Sequence, residues 1–240
     1  MATMPSRSGT APHAIASILP QVDRLWLFLD RFDSLPPYAE HEGICIVRSQ
    51  DVGDLRANGK LVGVAFEDEP CTFFAADDDI EYPADYCDTL DAYVHRYSGA
   101  AVVGVHAAVL RAPLESYGRD MKVLHRRADQ ERAEGVDLLG SDSLAFRTST
   151  FRFDVREWPD LNMVDLSFAR VARERSIPLV KIPRAAHWMR ALDEDQDDSI
   201  WNGVLRDDSR QTVLAQELLA LPRPPLPRRR WRRPLSYRSV

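Results

Sequence analysis

An apolar run that ends in three consecutive carboxylates, between Cys71 and Pro83, constrains this sequence most. Residues 72–76 (Thr-Phe-Phe-Ala-Ala) are β-branched, aromatic or small, and predict a short buried strand. Asp77, Asp78 and Asp79 follow at once, and Pro83 suits the first turn of a helix. The sequence therefore predicts three carboxylates at the carboxyl end of a strand, the edge of α/β sheets where ligands bind.

These adjacent carboxylates repel one another, so a cation or solvent must offset their charge. Hard divalent cations such as Mn²⁺ or Mg²⁺ prefer oxygen ligands and often bridge one or two carboxylates to substrate phosphates. The alternative is a solvated acidic turn, but a solvated loop does not require a position directly after a buried strand. The triplet is therefore a candidate site for Mn²⁺ or Mg²⁺.

Apolar runs alternate with helical patterns through the first two-thirds of the chain. Strands are predicted at 24–30, 44–47, 61–66, 72–76, 100–105 and 177–182. Helices are predicted at 10–19, after Pro83 and at 162–175, whereas 116–135 is predicted to be a loop with a short helix. This alternation is typical of an α/β three-layer domain with a mostly parallel central sheet.

Composition and charge narrow the class of protein. A chain of 240 residues, 45% hydrophobic and 28% charged, is typical of a globular protein with one substantial core. No apolar run approaches the roughly 20 residues of a membrane span, and the first residues lack a secretory-signal pattern. Three widely spaced cysteines without a metal-ligand pattern favour reduced thiols and a cytoplasmic location.

A Pro- and Arg-rich tail, residues 222–240, follows a domain expected at 1–221. The tail contributes seven arginines and no acids to a net charge of −6, so the body carries −13, which argues against nucleic-acid binding. Arginines beside Trp231 and Tyr237 suit peripheral contact with an anionic membrane surface, such as the inner face of the bacterial membrane. The alternatives are a solvated tail or one folded back on the acidic body.

Five segments stand in a suggestive order: Pro5-Ser6-Arg7, Leu19-Pro-Gln-Val-Asp23, Gly59-Lys60, Asp77-Asp-Asp-Ile-Glu-Tyr-Pro83 and Asp165. Together they resemble family 2 glycosyltransferases of the GT-A fold, and more narrowly a bacterial branch with an Asp-Asp-Asp-Ile-x-Tyr-Pro motif. The resemblance runs from about residue 2 to about residue 202. It implies a GT-A-like three-layer sandwich and a metal-dependent, inverting transfer of sugar from a nucleotide-sugar donor, with a UDP-sugar favoured, to a saccharide or lipid-linked acceptor in bacterial glycoconjugate assembly.

The resemblance also implies roles for individual residues. Donor binding falls to Pro5, Ser6, Arg7, Asp30, Lys60, Asp77 and Asp78, with Asp30 near the base and Lys60 near the diphosphate. Mn²⁺ or Mg²⁺ would be held by Asp79 and Asp77, with His187 as a third ligand. Asp165, at a helix start, matches the general base, while His106 and Trp188 would face the acceptor.

Each of these residues also has an ordinary structural interpretation. Asp165 could be only a favourable acid in the first turn of a helix, and Lys60 only a surface lysine. His106 could be a structural histidine, Trp188 a core residue and Asp30 a loop cap. Two rival functions are a nucleotidyltransferase that makes nucleotide sugars and a non-catalytic protein that binds them; the first usually carries a Gly-rich phosphate loop, which is absent from this sequence.

Overall fold

A computed structural model describes residues 1–193 and 200–227 of the chain. The strands are β1 (Ala2–Thr3), β2 (Leu25–Leu29), β3 (Ile44–Arg48), β4 (Thr72–Ala76), β5 (Ile80–Glu81), β6 (Val102–Gly104), β7 (Ala107–Leu110), β8 (Met121–Leu124), β9 (Glu134–Val136), β10 (Leu138–Leu139), β11 (Ser143–Arg147), β12 (Leu179–Lys181) and β13 (Arg190–Ala191). The helices are α1 (Ala11–Ile18), α2 (Ser49–Val52), α3 (Gly63–Phe66), α4 (Tyr86–Arg96), α5 (Val164–Glu174), α6 (Ile200–Arg206) and α7 (Ser209–Ala220).

A three-stranded sheet, β1-β2-β3, is parallel throughout. Its central strand β2 carries the apolar run Leu-Trp-Leu-Phe-Leu, and four of these five residues are buried. A strand covered on both faces requires such a continuous apolar run. The prediction of a buried strand within 24–30 is therefore confirmed.

The larger sheet has five strands in the order β4-β11-β6-β12-β9 and is mixed. Only β6 and β12 pair in parallel, whereas β11 runs antiparallel to both β4 and β6, and β9 runs antiparallel to β12. The prediction of a mostly parallel central sheet was wrong here. Parallel neighbours need a long crossover, usually helical, but between β6 and β11 the chain forms the short strands β7 to β10 instead.

Helices cover both faces of this sheet, because successive residues of a strand point to opposite sides. Val102 and Leu144 belong to one core cluster with α5 and α7, whereas their neighbours Val103 and Ala145 belong to a second cluster with α1 and α4. The protein is thus a mixed α/β fold with several sheets. No helix in the described part of the chain combines the length and apolar character needed to cross a membrane.

Two sequence-based predictions of local structure were wrong. The strand predicted at 61–66 does not form. Leu61 ends a 3-10 turn (Arg56–Leu61), and Gly63–Phe66 form the short helix α3. A short apolar run does not distinguish a buried strand from a buried helical turn by its periodicity. Residues 116–135 contain strands β8 and β9 rather than a short helix, and β8 has two exposed residues among its four, which obscures its pattern.

The tail begins on the surface of the domain. The guanidinium of Arg223 lies 2.7 Å from the buried carboxylate of Asp137, which also pairs with Arg173 of α5. The first residues of the tail therefore contact the folded body through Arg223. The remainder of the tail, with Trp231 and Tyr237, lies outside the described residues.

Candidate functional site

The strand predicted at 72–76 is observed as β4, and the acidic triplet forms the turn between β4 and β5. Buried Tyr82 holds this turn in place. Its hydroxyl accepts a hydrogen bond from the N–H of Asp77 at 2.7 Å and donates to the carbonyl of Asp142 at 2.7 Å. Tyr82 thereby joins the triplet to the loop between β10 and β11.

Lys60 lies beside the triplet. Its Nζ contacts a carboxylate oxygen of Asp77 and lies 3.3 Å from Oγ of Ser141. Burial acts to lower the pKa of Lys60, but the charge and hydrogen bond of Asp77, together with Asp165 and Asp142, outweigh it, and the pKa lies above the usual value. Lys60 is only 7% exposed, so it is a buried cation and not the surface lysine of the alternative interpretation.

A glycine positions this lysine. A Cβ atom on Gly59 would lie 2.1 Å from Cδ1 of Phe28, so the 3-10 turn lies directly against the aromatic ring on β2. Any other side chain would force the turn away from the sheet. The approach of Lys60 to Asp77 therefore depends on the absence of a side chain at its neighbour.

Asp165 lies in the first turn of α5 and is half-buried. Its Oδ1 accepts a hydrogen bond from the N–H of Ser141 at 2.9 Å. Burial raises the pKa of Asp165, although the Ser141 hydrogen bonds and Lys60 oppose this. A carboxylate with a raised pKa is a stronger base than an ordinary exposed aspartate, which is the property that a general base needs.

One cavity of about 900 Å³ brings several of the predicted residues together. Lys60, Asp77, His106 and Asp165 all contribute to its lining. They come from a 3-10 turn, the end of β4, the turn between β6 and β7, and the start of α5. Residues more than 100 positions apart in sequence therefore share a single site.

The cavity also contains charged residues that sequence reasoning missed. Asp142 accepts hydrogen bonds from Arg126 at 3.0 Å and from Oγ of Ser143 at 2.6 Å. Burial acts to raise the pKa of Asp142, but His106 and Arg126 outweigh it and hold the pKa below the usual value. Arg126 belongs to a charged stretch without clear periodicity, so no local signal could have identified it.

His106 is adjacent to this group, and its ring centroid lies 5.0 Å from that of His125. Burial, together with the nearby charge of His106, lowers the pKa of His125 to about 4. His125 is therefore neutral at physiological pH. Nδ1 of His106 is buried without a hydrogen bond within the described residues and lies 3.7 Å from Oδ2 of Asp142, so this histidine belongs to the charged group around Asp142.

The residues predicted to hold the nucleotide lie elsewhere, at the carboxyl ends of β1 and β2. Asp30 ends β2 and is buried, while Pro5, Ser6 and Arg7 form a short 3-10 turn after β1. Burial raises the pKa of Asp78 to about 7, and Arg7 is close enough to oppose this shift. None of these five residues lines the cavity.

Three polar atoms near this edge are buried without a hydrogen bond of good geometry in the described part of the chain: Oγ1 of Thr3, Oδ1 of Asp30 and the hydroxyl of Tyr38. Thr3 nevertheless interacts with Tyr38 and Asp78, since it lowers the pKa of both. Buried polar atoms without partners are costly, and a ligand with polar groups would satisfy them. Sequence reasoning found Asp30 but missed Thr3 and Tyr38. Tyr38 lies in a single 3-10 turn (Pro37–Ala39), which is too short to give a periodic signal.

The predicted metal ligands are only partly assembled. Burial, followed by the charge of Asp77, raises the pKa of Asp79 to about 6, which marks a carboxylate whose charge is not fully compensated. His187 is exposed, and its N–H donates to the carbonyl of Arg127. Across residues 1–193 and 200–227 no group of three or more His, Cys, Asp or Glu side chains could hold a metal ion, so Asp77, Asp79 and His187 do not form a three-ligand set.

Trp188 does not line the cavity either. Its Nε1 donates to Oδ1 of Asp85 at 3.0 Å, and its ring packs 5.8 Å from that of Tyr86. This half-buried packing position corresponds to the structural alternative for Trp188 and not to contact with an acceptor in the cavity.

No protein-family model matches this sequence, and a search of curated proteins gives no match. The resemblance to family 2 glycosyltransferases thus depends on the motif residues themselves and on their positions.

Proposed function

We propose that this protein is a metal-dependent glycosyltransferase with a GT-A-like arrangement. It would transfer a sugar, with inversion, from a nucleotide-sugar donor, favoured as a UDP-sugar, to a saccharide or lipid-linked acceptor in glycoconjugate assembly. One observation carries this proposal: the cation Lys60, the first acid of the triplet, Asp77, and the candidate base Asp165 line one cavity. Departure of a nucleoside diphosphate and attack by a hydroxyl require these groups together.

The donor side requires positive charge. As the bond from the anomeric carbon to the diphosphate breaks, the electron pair leaves with the phosphate oxygen, and Lys60 stabilises the growing negative charge. Two carboxylates without a third protein ligand fit Mg²⁺ or Mn²⁺, which usually retain waters and complete their coordination with substrate phosphates. A cation held by Asp79 and Asp77 would add positive charge at the leaving phosphates.

The acceptor side requires a base. The carboxylate of Asp165 would take the proton from an acceptor hydroxyl while that oxygen forms the new bond to the anomeric carbon. The hydrogen bond from the Ser141 N–H to Oδ1 fixes the orientation of the Asp165 carboxylate. Thr3, Asp30 and Tyr38 would supply hydrogen bonds to the nucleoside.

A thermal-shift panel of nucleotides and nucleotide sugars, with and without Mn²⁺, tests the proposal. A ligand that binds only the folded state raises the Tm according to its concentration and affinity. We expect a shift with one nucleoside diphosphate that requires Mn²⁺ and disappears in Asp79→Ala. An unchanged Tm with every nucleotide at saturating metal would contradict the proposal.

A further inference from the structure

The cavity has two walls of different chemical character. One wall carries the charged and polar groups around Lys60, Asp142 and Asp165. Apolar lining residues come from two other elements, β8 and α6: Met121, Val123, Trp201 and Val204. A ligand that fills the cavity would therefore meet both charged groups and apolar side chains.

Within the described residues, part of this apolar surface is exposed. Val123 and Trp201 are each 44% exposed although both line the cavity. Leu205, four residues after Trp201 and thus on the same side of α6, is 65% exposed. Apolar surface that continues from the cavity to its outer edge gains free energy when an apolar ligand removes it from water.

The size of the cavity indicates which ligand could cover this wall. About 900 Å³ is near the upper end of the roughly 300–1,000 Å³ that encloses a drug-sized ligand, and a single sugar ring leaves much of it empty. The nucleotide-side residues, such as Asp30 and Asp78, do not line it. Under the proposed function, the cavity volume beyond the sugar is therefore assigned to the acceptor.

We propose that the acceptor is a single amphiphilic molecule, a hydroxyl-bearing sugar that carries an alkyl or aryl aglycone. Its hydroxyl end lies at Asp165, and its apolar part lies along Met121, Val123 and Trp201. The role of the hydroxyl end rests on the proposed glycosyltransferase function, whereas the apolar subsite rests on the cavity wall alone.

Calorimetric titration with methyl, butyl, hexyl and octyl β-glucosides, below micelle formation, tests the apolar subsite. We expect one molecule per chain and an affinity that increases up to about fourfold for each added methylene that becomes buried. All four ligands carry the same glucose ring, so a poor fit of the ring weakens the binding of each by the same factor. The dependence of affinity on chain length is therefore unaffected by the choice of sugar. An affinity independent of chain length would overturn the proposal.

A matched pair of variants locates the binding. Val123→Thr keeps the shape of the side chain and adds a hydroxyl, so octyl glucoside should bind roughly three- to fivefold more weakly. Val213→Thr makes the same change at a residue that is 43% exposed on α7 but does not line the cavity, and should leave the affinity unchanged. Trp201→Ala should weaken binding more than tenfold. Equal effects of the two valine variants would overturn the proposal.

Two further outcomes separate this inference from others. A chain-length slope without any nucleotide-dependent change in Tm would support the apolar subsite while the proposed transferase function fails. Cosedimentation with phosphatidylcholine vesicles that is lost in Trp201→Ala, without binding of soluble alkyl glucosides, would overturn the single-molecule proposal and indicate a membrane-docking face instead.

Discussion

The backbone N–H of Ser141 donates to Oδ1 of Asp165 at 2.9 Å, while Oγ of the same serine lies 3.3 Å from Nζ of Lys60. One short residue therefore connects the candidate base to the lysine that pairs with Asp77. Because the link to Asp165 is made by the backbone, the position of the carboxylate does not depend on a long, mobile side chain. The distance between base and cation is thereby fixed by the loop between β10 and β11.

Asp165→Asn removes the base but preserves the shape of the side chain and the oxygen that accepts from Ser141. Turnover should fall by about 10²- to 10⁴-fold, while the nucleotide-dependent shift in Tm remains. Asp88→Asn is the matched control, since Asp88 also lies in the first turn of a helix, α4, but is exposed. Similar product formation by both variants would show that Asp165 is only a helix-start acid.

Lys60→Met should destabilise the protein because it leaves the Asp77 carboxylate without its cation. Loss of one partner from a buried ion pair costs about 3–5 kcal/mol, and the partial exposure of Asp77 reduces the expected cost to about 2–3 kcal/mol. The double variant Lys60→Met/Asp77→Asn should recover part of that loss in urea unfolding. Lys122→Met, at an exposed position on β8, should change the free energy of unfolding by no more than about 0.5 kcal/mol.

The stability of the metal-free protein should decrease with rising pH because of Asp78. Burial raises its pKa from 3.8 to about 7, so the folded state holds a proton that the unfolded state has already lost. The free energy of unfolding should therefore fall between about pH 4 and pH 7 and level off above. Asp78→Asn should be more stable than the parent at pH 8, by about 2–4 kcal/mol.

Urea unfolding in the presence of a chelator measures both proteins across this range. The two curves should converge at the acidic end, where Asp78 is protonated in the folded state. A constant difference between the curves at every pH would contradict this account.

Tyr82→Phe should loosen the acidic triplet. It leaves the buried N–H of Asp77 and carbonyl of Asp142 without their shared partner, at a cost of about 2–3 kcal/mol. Tyr86→Phe is the control, because its buried hydroxyl makes one 3.3 Å hydrogen bond to Ala75 and should cost about 1 kcal/mol. Turnover should fall in the Tyr82 variant alone. Equal losses in the two variants would mean that the hydrogen bonds of the Tyr82 hydroxyl have no special role in positioning the triplet.

Tyr38→Phe should weaken nucleotide binding without destabilising the free protein. The hydroxyl is buried, and its interaction with Thr3 lowers its pKa but does not meet the geometry of a full hydrogen bond, so its removal should cost the free protein little, whereas a bound nucleoside loses a hydrogen bond. We expect roughly three- to tenfold weaker binding by calorimetry. Tyr93→Phe is the control: Tyr93 is a half-buried residue of α4, and its variant should change neither the nucleotide affinity nor the free energy of unfolding. A marked loss of stability in Tyr38→Phe would mean that its hydroxyl already has a structural partner.

Local signals predicted the elements that carry the acidic triplet. The composition of residues 72–76 identified β4, and the i, i+4 spacing of Tyr86, Leu90 and Val94 identified α4, because strand and helix periodicities are set by neighbouring residues. The resemblance supplied Lys60 and Asp165, which the structure brings to one cavity.

The remaining features depend on contacts between distant segments. Neither the ion pair between Arg126 and Asp142 nor the role of Ser141 has a sequence signature, since each depends on which loops meet at the sheet edge. The position of β11, antiparallel between β4 and β6, was missed for the same reason. Strand order is determined by the packing of the whole domain and not by the sequence of one strand.

The close approach of Gly59 to Phe28 has a consequence for how this protein tolerates mutation. In a saturation library, selection for folded protein should accept many residues at Asp165, because their side chains still fit. Selection for activity should accept few, because the variants lack the base. At Gly59 the two selections should agree, since any side chain displaces the turn that carries Lys60. A residue that touches no ligand would then be as invariant among active clones as the acids of the triplet.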